Sequence, residues 1–360
     1  MTRTSEVLLI RADAGNRMGT GHVMRCLALA QAWTDAGGRV QFAMAGPPAS
    51  VAERLREEGM EMTALTAPRG AVEDATQTAL AARALGAEWV VVDGYHFDAD
   101  YQKTIRRAGL HLLAVDDFGH CAHYSADLVL NQNSNASPDC YTHREAFTRL
   151  LLGLPYVLLR REFARWLDWQ RQTQPLARRL LVTMGGADPG NLTPQVMSSL
   201  TRLRAPHLET LVVVGGANPH YDEVRAAAAG SAVAFDLRRN IQDMPECMAR
   251  ADLAIIAAGG TLWELMFMGC PTMIFARTPL QESILLDLER QDSLLYLGYE
   301  EALDQERLAA AIEKLVHSAA DRQRMTLAGK RLVDGKGAAR VLRAMREVQA
   351  GRQNHAPQTR

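Results

Sequence analysis

Residues 7–25, VLLIRADAGNRMGTGHVMR, contain a strand signal, a glycine turn and a helix start in immediate succession. The apolar run from Val7 to Ile10 is typical of a buried parallel strand, and from Val23 onward apolar residues recur with helical spacing. A glycine turn between a strand and a helix directs free backbone N–H groups and the positive end of the helix dipole towards a bound anion. The stretch therefore predicts a βα unit of an α/β fold with a ligand site at the turn.

The turn leads into His22, at the start of the predicted helix. The helix dipole disfavours imidazolium in the first turn, which predicts a neutral histidine able to accept a proton. Arg25 follows three residues later and shares the same helix face. The alternative is that Gly19 and Gly21 only permit a tight turn that His22 caps, but the crowding of polar residues favours an active-site loop.

Composition and charge exclude several classes of protein. The chain has 360 residues, of which 48% are hydrophobic, and this length predicts two globular domains. Its net charge of -1 predicts no nucleic-acid partner. No apolar segment has the length of a signal peptide or a membrane span, so we expect a cytoplasmic protein without a membrane partner.

Cysteine usage predicts free thiols rather than disulfides, because the five cysteines are scattered and lack CxxC spacing. His120, Cys121 and His123 form the one cluster that suggests a metal, but they lack further clustered ligands. We therefore predict neither a metal nor another cofactor. The oligomeric state is not encoded in these patterns.

Two series of alternating strand and helix signals follow one another along the chain. The predicted strands lie at residues 7–10, 40–43, 89–92, 112–115 and 128–130, and then at 180–184, 211–214, 233–235, 253–257 and 272–275. This alternation predicts two Rossmann-like, doubly wound domains. The predicted boundaries are 1–155, 156–350 and a flexible tail over 351–360, with a linker near 151–161. Helical patterns from Gln305 onward are expected to pack across both domains.

Polar side chains follow three predicted strands of the first series. Open parallel sheets bind ligands at the carboxyl ends of their strands, which makes these side chains candidates by position alone. They are Asp93, Tyr95, His96, Asp116, Asp117 and Asn131. For Asp116 and Asp117, capping of a loop is an equal alternative.

Two glycine turns follow strands of the second series. Gly185-Gly186 comes after one predicted strand, and Gly259-Gly260-Thr261 comes after another. Together the two turns predict a clamp for a diphosphate. Glu264 lies in the first helical turn after the second of them, where a carboxylate can accept both hydroxyls of a ribose, or can simply stabilise the helix dipole.

The run from Asp243 to Glu264 resembles the nucleotide-binding signature of GT-B glycosyltransferases of the MurG kind. A wider, collinear set of motifs is similar to the PseG family, the UDP-2,4-diacetamido-2,4,6-trideoxy-β-L-altropyranose hydrolases of pseudaminic acid biosynthesis. These motifs are Arg11-x-Asp13, Gly19-x-Gly21-His22-x-x-Arg25, Asp93-x-Tyr95, Asp116-Asp117, Asn131-x-Asn133, Tyr156-x-Leu-Leu-Arg160-x-Glu162-Phe163 and Met184-Gly185-Gly186-x-Asp188-x-x-Asn191-Leu192-Thr193. The resemblance extends over residues 7–275.

The resemblance implies a GT-B-like fold whose two domains face a cleft, and hydrolysis of a UDP-sugar with inversion. His22 matches the family's histidine and would deprotonate the attacking water, while Asp13 would orient its imidazole or bind sugar. Tyr95, Asp93 and Asn131 would contact sugar or water. The full set of implied binding residues is Arg11, Gly19, Gly21, Arg25, Asp93, Asn131, Arg160, Gly185, Gly186, Asp188, Asn191, Gly259, Gly260, Thr261, Glu264 and Gln281.

The chain departs from the family pattern after its last matched strand. Family members often carry a polar Asn-Gln pair there, whereas this chain has Pro279-Leu280-Gln281, in which Gln281 is assigned that role. Two other functions remain open. One is a GT-B glycosyltransferase in which His22 deprotonates an acceptor hydroxyl, and the other is a non-catalytic protein that binds a nucleotide sugar.

Overall fold

A computed structural model describes residues 6–15, 18–203, 205 and 207–353. Asn16 and Arg17 of the opening turn, and residues 354–360 of the predicted tail, lie outside the described residues. Described residues 6–14, 22–161 and 336–353 form one compact unit, and residues 15, 18–21 and 162–335 form the other.

Each unit is built on one parallel sheet. The first sheet comprises β1 (Val7–Ala12), β2 (Arg39–Met44), β3 (Glu61–Ala64), β4 (Trp89–Asp93), β5 (His111–Val115), β6 (Leu128–Asn131) and β7 (Arg149–Leu152). The second comprises β8 (Arg179–Thr183), β9 (Glu209–Val214), β10 (Phe235–Arg239), β11 (Leu253–Ala257), β12 (Thr272–Ala276) and β13 (Leu295–Tyr299). The central strands are continuous apolar runs that are buried along their whole length, as parallel strands covered on both faces must be.

Helices connect the parallel strands. They are α1 (Gly21–Asp35), α2 (Ala49–Glu57), α3 (Val72–Ala84), α4 (Ala99–Arg107), α5 (Leu192–Leu200), α6 (Tyr221–Ala229), α7 (Met244–Arg250), α8 (Thr261–Phe267), α9 (Pro279–Arg290), α10 (Gln305–His317), α11 (Ala319–Leu332) and α12 (Gly337–Gln353). The apolar faces of the helices pack on the sheets: the first unit has a hydrophobic cluster on each face of its sheet, and a further cluster lies in the second unit.

Strand order locates the expected binding edge in each sheet. The orders are β3-β2-β1-β4-β5-β6-β7 and β10-β9-β8-β11-β12-β13. The direction of winding reverses between β1 and β4 in the first sheet and between β8 and β11 in the second. Ligands of doubly wound sheets bind at the carboxyl ends of the strands at such a switch point.

The last helix differs from the predicted domain boundaries. Val341, Leu342 and Met345 of α12 are buried in the core of the first unit, beside Leu8 and Ile10 of β1. The chain therefore returns to the first unit after α11, instead of ending within the second. Helix α12 also continues to Gln353, into the segment predicted as a flexible tail.

Sequence patterns miss several strands at or near the sheet edges. Strand β3 has no buried residue, and β13 is half-buried throughout and contains Gly298, so neither has the pattern of a fully buried strand. Strand β10 begins at Phe235 rather than at residue 233 and ends in exposed arginines. Strands β3 and β10 contain charged residues, which discourage pairing with other chains and also conceal the strand signal.

Candidate functional site at two sheet switch points

The switch point of the first sheet brings His22 and Asp93 together. Ala12 at the end of β1 pairs with Asp93 at the end of β4, and α1 begins just after the loop that follows β1. His22 Nδ1 lies 2.7 Å from Asp93 Oδ1, although 71 residues separate the two in sequence. An ionised carboxylate at this distance accepts the Nδ1 hydrogen and so fixes the tautomer of the ring.

Arg25 completes the pair from the same face of α1. Its Nε and Nη2 donate to the two oxygens of Asp93 at 2.6 and 2.7 Å, and its Nη1 donates to Asp117 Oδ1 at 2.7 Å. Arg25 Nη2 also lies 3.2 Å from His22 Nδ1. Asp93 thus accepts hydrogen bonds from both His22 and Arg25. This arrangement confirms the prediction that His22 and Arg25 share one face.

Asp93 is an ionised carboxylate in a buried position. Its exposed fraction is 1%. Burial opposes its ionisation, but the positive charge of Arg25 and the contact with His22 outweigh burial and hold the pKa of Asp93 well below its usual range. Asp93 therefore keeps its negative charge behind His22 across the neutral pH range, and it is too buried to be the sugar or water contact that the sequence suggests.

Tyr95 covers the outer side of this cluster. Its hydroxyl donates to Asp117 Oδ2 at 2.8 Å, and its ring meets the His22 ring edge to face, with 5.2 Å between centroids. Burial and the negative charge of Asp117 raise the pKa of Tyr95, so the phenol keeps its proton. With 49% of its surface exposed, Tyr95 is accessible to a ligand.

The second ring nitrogen of His22, Nε2, is on the side of the ring away from Asp93. Within the described part of the chain, no residue hydrogen-bonds to Nε2, and 12% of the side chain is exposed. A histidine whose Nδ1 donates to a carboxylate presents a lone pair at Nε2 that accepts a proton. The geometry therefore suits a general base.

Asp13 does not orient His22, contrary to the expectation from sequence. Its carboxylate lies 2.7 Å from Arg11 Nη1 and accepts from the backbone N–H of Ala45 at 2.8 Å. Arg11 is fully buried and donates to both oxygens of Asp74 at 2.9 Å. Arg11 thus organises the strand ends from inside the unit, and burial keeps it from direct contact with substrate.

Asn131 and Asp116 also belong to a buried network. Asn131 donates to the Tyr141 hydroxyl at 2.9 Å and accepts from the backbone N–H of Asn133. Asp116 accepts from the backbone N–H groups of Phe118 and Gly119 and from two tyrosine hydroxyls. Loop capping therefore accounts for Asp116, whereas its neighbour Asp117 joins the His22 cluster.

His120 forms an ion pair with Asp116 that makes stability depend on pH. Burial opposes the charge on the ring, but the ion pair with Asp116 and the contact with Cys121 outweigh it and raise the pKa of His120 from 6.5 to about 10. A histidine with a raised folded-state pKa stabilises the fold fully below its unfolded-state pKa and loses that contribution as pH rises through the folded-state value.

We expect the substitution His120→Gln to lower the free energy of unfolding by about 2 kcal/mol at pH 6, and by progressively less towards pH 10. Urea denaturation at a series of pH values measures this difference. The control His123→Gln removes an exposed pair with Glu145 and should cost less than about 1 kcal/mol at any pH. A difference for His120→Gln that stays constant from pH 6 to pH 10 would contradict the assignment.

The glycine turns of the second unit lie at its switch point, after β8 and β11. Gly185 has a φ of +82°, a left-handed conformation that side chains rarely adopt. Gly186 is closely packed, since a Cβ on the neighbouring Gly215 would lie 2.4 Å from the carbonyl oxygen of Gly186. The exposed Gly259 and Gly260 lead directly into α8, which contains Thr261 and Glu264.

Three further predicted binding residues of the second unit are engaged in hydrogen bonds within the protein. Buried Asp188 accepts from the backbone N–H groups of Leu192 and Thr193 at the start of α5. Asn191 is left-handed, with a φ of 48°, and donates to Glu223. Gln281 Oε1 accepts from the backbone N–H of Arg277 at 2.8 Å, within the first turn of α9.

The remaining predicted binding residues lie in connecting segments. Gly19 has a φ of +74° and exchanges backbone hydrogen bonds with Gly15, which closes the described part of the opening loop. Gly21 is the first residue of α1. Arg160 is partly buried just before the short 3-10 helix Arg161–Trp166.

Sequence reasoning missed Arg277 and the pairing of Asp117 with Arg25. Arg277 contacts Met184 just before the first glycine turn, from a position 93 residues away in sequence. No local motif signals such a contact, because it depends on which strands are neighbours.

The described residues contain neither a metal-binding cluster nor a membrane-spanning helix. The described parts of the chain contain no group of three or more His, Cys, Asp or Glu side chains arranged to hold a metal ion. His120 and Cys121 are instead bound to Asp116 and to the Phe97 carbonyl. Within the same residues, no helix combines the length and hydropathy needed to cross a bilayer.

Comparison with known proteins identifies the fold and the class of the second domain. Residues 179–339 match the sequence model of the glycosyltransferase family 28 C-terminal domain. The crystal structure of MurG from Acinetobacter baumannii superposes with a TM-score of 0.64 at 16% identity, covering 96% of this chain and 100% of that one. The chain therefore has the GT-B fold that was expected from its sequence, and most of its second unit is similar to the family 28 C-terminal domain.

Curated relatives are more distant in sequence. An uncharacterized protein of Methanocaldococcus jannaschii is 24% identical over 297 residues, which are 81% of this chain and 60% of that protein. The UDP-2,4-diacetamido-2,4,6-trideoxy-β-L-altropyranose hydrolase of Campylobacter jejuni is 24% identical over 223 residues, which are 61% of this chain and 74% of the hydrolase.

Proposed function

We propose that the protein is an enzyme that hydrolyses a UDP-sugar at the anomeric C–O bond, with inversion, and releases UDP and the free sugar. The observation that carries this proposal is His22 at the first switch point, with Nδ1 held by the ionised Asp93 and Nε2 available to a proton. Such a pair is what activation of water requires.

In the proposed reaction, His22 Nε2 takes a proton from a water molecule while the water oxygen attacks the anomeric carbon. The new C–O bond forms on the face opposite UDP, and the bond from the anomeric carbon to the phosphate oxygen breaks. Its electron pair leaves with UDP, a good leaving group. Asp93 stabilises the imidazolium that forms, and Arg25 keeps Asp93 ionised.

In this proposal the second domain binds the nucleotide. Its two glycine turns follow neighbouring strands at the switch point, the position where doubly wound sheets bind phosphates. Glu264 lies in the first turn of α8, where a carboxylate can accept ribose hydroxyls. The family 28 match over this domain supports the same assignment.

The finer identity of the sugar is a further part of the proposal. The collinear motifs over residues 7–275 are similar to those of the PseG family, and one curated relative of this chain is named as a hydrolase of that kind. We therefore propose UDP-2,4-diacetamido-2,4,6-trideoxy-β-L-altropyranose as the substrate. Tyr95, exposed beside His22, is the proposed sugar contact.

Incubation with this UDP-sugar in ¹⁸O-labelled water tests the reaction directly. We expect UDP to be released without an added acceptor, and mass spectrometry to find one labelled oxygen in the free sugar and none in UDP. Label in UDP would show attack at phosphorus and would contradict the mechanism. NMR of the first product formed should show the inverted anomer.

A GT-B glycosyltransferase is the second candidate, because the family 28 domain and the MurG-like fold are equally compatible with transfer to an acceptor. His22 would then deprotonate an acceptor hydroxyl instead of water. The labelled-water experiment separates the two, since a transferase should release little UDP until an acceptor is supplied.

A further inference from the structure

Arg277 is held in a defined position at the carboxyl edge of the second sheet. It follows the last residue of β12, and its Nε donates to Glu300 Oε2 at 2.7 Å. Its Nη2 donates to the carbonyl oxygen of Met184 at 3.2 Å. The Arg277 side chain is 24% exposed, whereas that of Glu300 is 12% exposed. The guanidinium is therefore partly open to solvent and is anchored by the more buried Glu300.

Strand order shows what this side chain crosses. In the sheet, β11 lies between β8 and β12, so the hydrogen bond from Arg277 to Met184 passes over the carboxyl end of β11. Neighbouring strands lie about 4.8 Å apart, so the ends of β8 and β12 are about 10 Å apart. The positive charge therefore lies at the switch point, next to the strand from which Gly259 and Gly260 continue.

The contact with Met184 also fixes the first glycine turn. The carbonyl of Met184 and the N–H of Gly185 belong to one planar peptide and point in opposite directions. Holding the carbonyl therefore sets the direction of the Gly185 N–H, at the residue where the chain enters its left-handed conformation.

Glu300 contacts the other end of the same turn. A Cβ added to Gly190 would lie 2.9 Å from Glu300 Oε1, so the carboxylate packs directly against the backbone there. One ion pair, Arg277–Glu300, thus supports both the start and the end of the turn from Gly185 to Gly190.

We infer that Arg277 is a positioning residue for a nucleoside diphosphate, and that Glu300 holds it in place. Its role is to hold the Met184 carbonyl, so that the Gly185 N–H on the opposite side of the same peptide is directed at a bound anion. This inference rests on the proposed function, because it assumes that the second domain binds the diphosphate of UDP.

Calorimetric titration with UDP and with uridine tests the inference. We expect Arg277→Gln to weaken UDP binding by about tenfold or more, the usual effect of losing a charge-assisted contact, and to leave uridine binding within about twofold. Arg277→Lys should fall between wild type and Arg277→Gln. Arg290→Gln is the matched control, because Arg290 lies on α9 with 73% of its side chain exposed and a loose 3.6 Å pair with Asp287.

Steady-state kinetics distinguish a positioning role from a purely structural one, because a structural role would not change KM selectively. Arg277→Lys should raise KM for the UDP-sugar by several-fold and leave kcat within about twofold. Equal losses of UDP and uridine affinity in Arg277→Gln, or wild-type KM and UDP affinity in Arg277→Lys, would overturn the inference while the proposed function stands. A wild-type protein that binds no UDP would overturn both.

Discussion

Replacing His22 by alanine is expected to lower kcat for the UDP-sugar by about 10²- to 10⁴-fold, the range that a positioned general base supplies. His22 is the group whose Nε2 is directed away from Asp93 and able to accept the proton of water. UDP affinity should stay within about twofold of wild type, because the residues assigned to UDP belong to the other domain. Measuring UDP release and UDP binding on the same preparation separates the two effects.

The matched control is His123→Ala, which removes a histidine of the same unit that pairs with Glu145 at the surface. It should leave kcat unchanged. If His22→Ala turned over at the wild-type rate, His22 would not be the base. If the variant lost UDP binding together with turnover, the non-catalytic binding role would become the better explanation for this loop.

Replacing Asp93 by asparagine is expected to lower kcat by about 10²- to 10³-fold, because an amide no longer fixes the Nδ1 hydrogen or stabilises imidazolium. The change also removes one of the two carboxylate partners of Arg25, so it should lower folding stability as well, by less than the roughly 3 to 5 kcal/mol that leaving a buried charge unpaired costs, because Asp117 still pairs with Arg25. Kinetics at a temperature well below the unfolding transition, together with urea denaturation, distinguishes the catalytic loss from the structural one.

Asp117→Asn is the control for this second prediction. Asp117 contacts Arg25 and Tyr95, and none of its hydrogen bonds within the described residues involves His22. Its substitution should therefore reduce stability with a much smaller effect on kcat. Equal losses of kcat in the two variants would show that Asp93 acts only by holding Arg25.

The pH dependence of activity follows from the same charges. The folded-state pKa of Asp93 is lowered. Its ionised carboxylate therefore stabilises the fold at every pH above the usual aspartate pKa, and this stabilisation is lost only as the pH falls through the lowered value. Asp93 should therefore remain ionised throughout the pH range in which the enzyme is assayed. Protonation of Asp93 should therefore not produce an acidic limb in the pH profile of kcat.

Much of the fold could be predicted because its signals are local. Buried parallel strands such as β4 and β11 are unbroken apolar runs, and the glycine turns that follow β1, β8 and β11 are visible within a few residues. Half-exposed edge strands such as β3 could not be predicted, because their sequences lack that apolar run.

The candidate site was predicted in part for the same reason. His22 and Arg25 lie three residues apart on one helix, so their common face is fixed by helix geometry. The family resemblance implied that Asp13 orients His22 or binds sugar. The pairing of β1 with β4 instead places Asp93 beside the ring and leaves Asp13 with Arg11.

By itself, the sequence determined that this protein has two doubly wound domains, a histidine at the start of its first helix and glycine turns after its central strands. Periodicity and turn chemistry act over a few residues, so they can be recognised without a structure. Only the tertiary structure decided which carboxylate holds His22, which arginine crosses the second switch point and which domain contains α12. These depend on strand order and on burial, which join residues tens of positions apart and leave no local pattern.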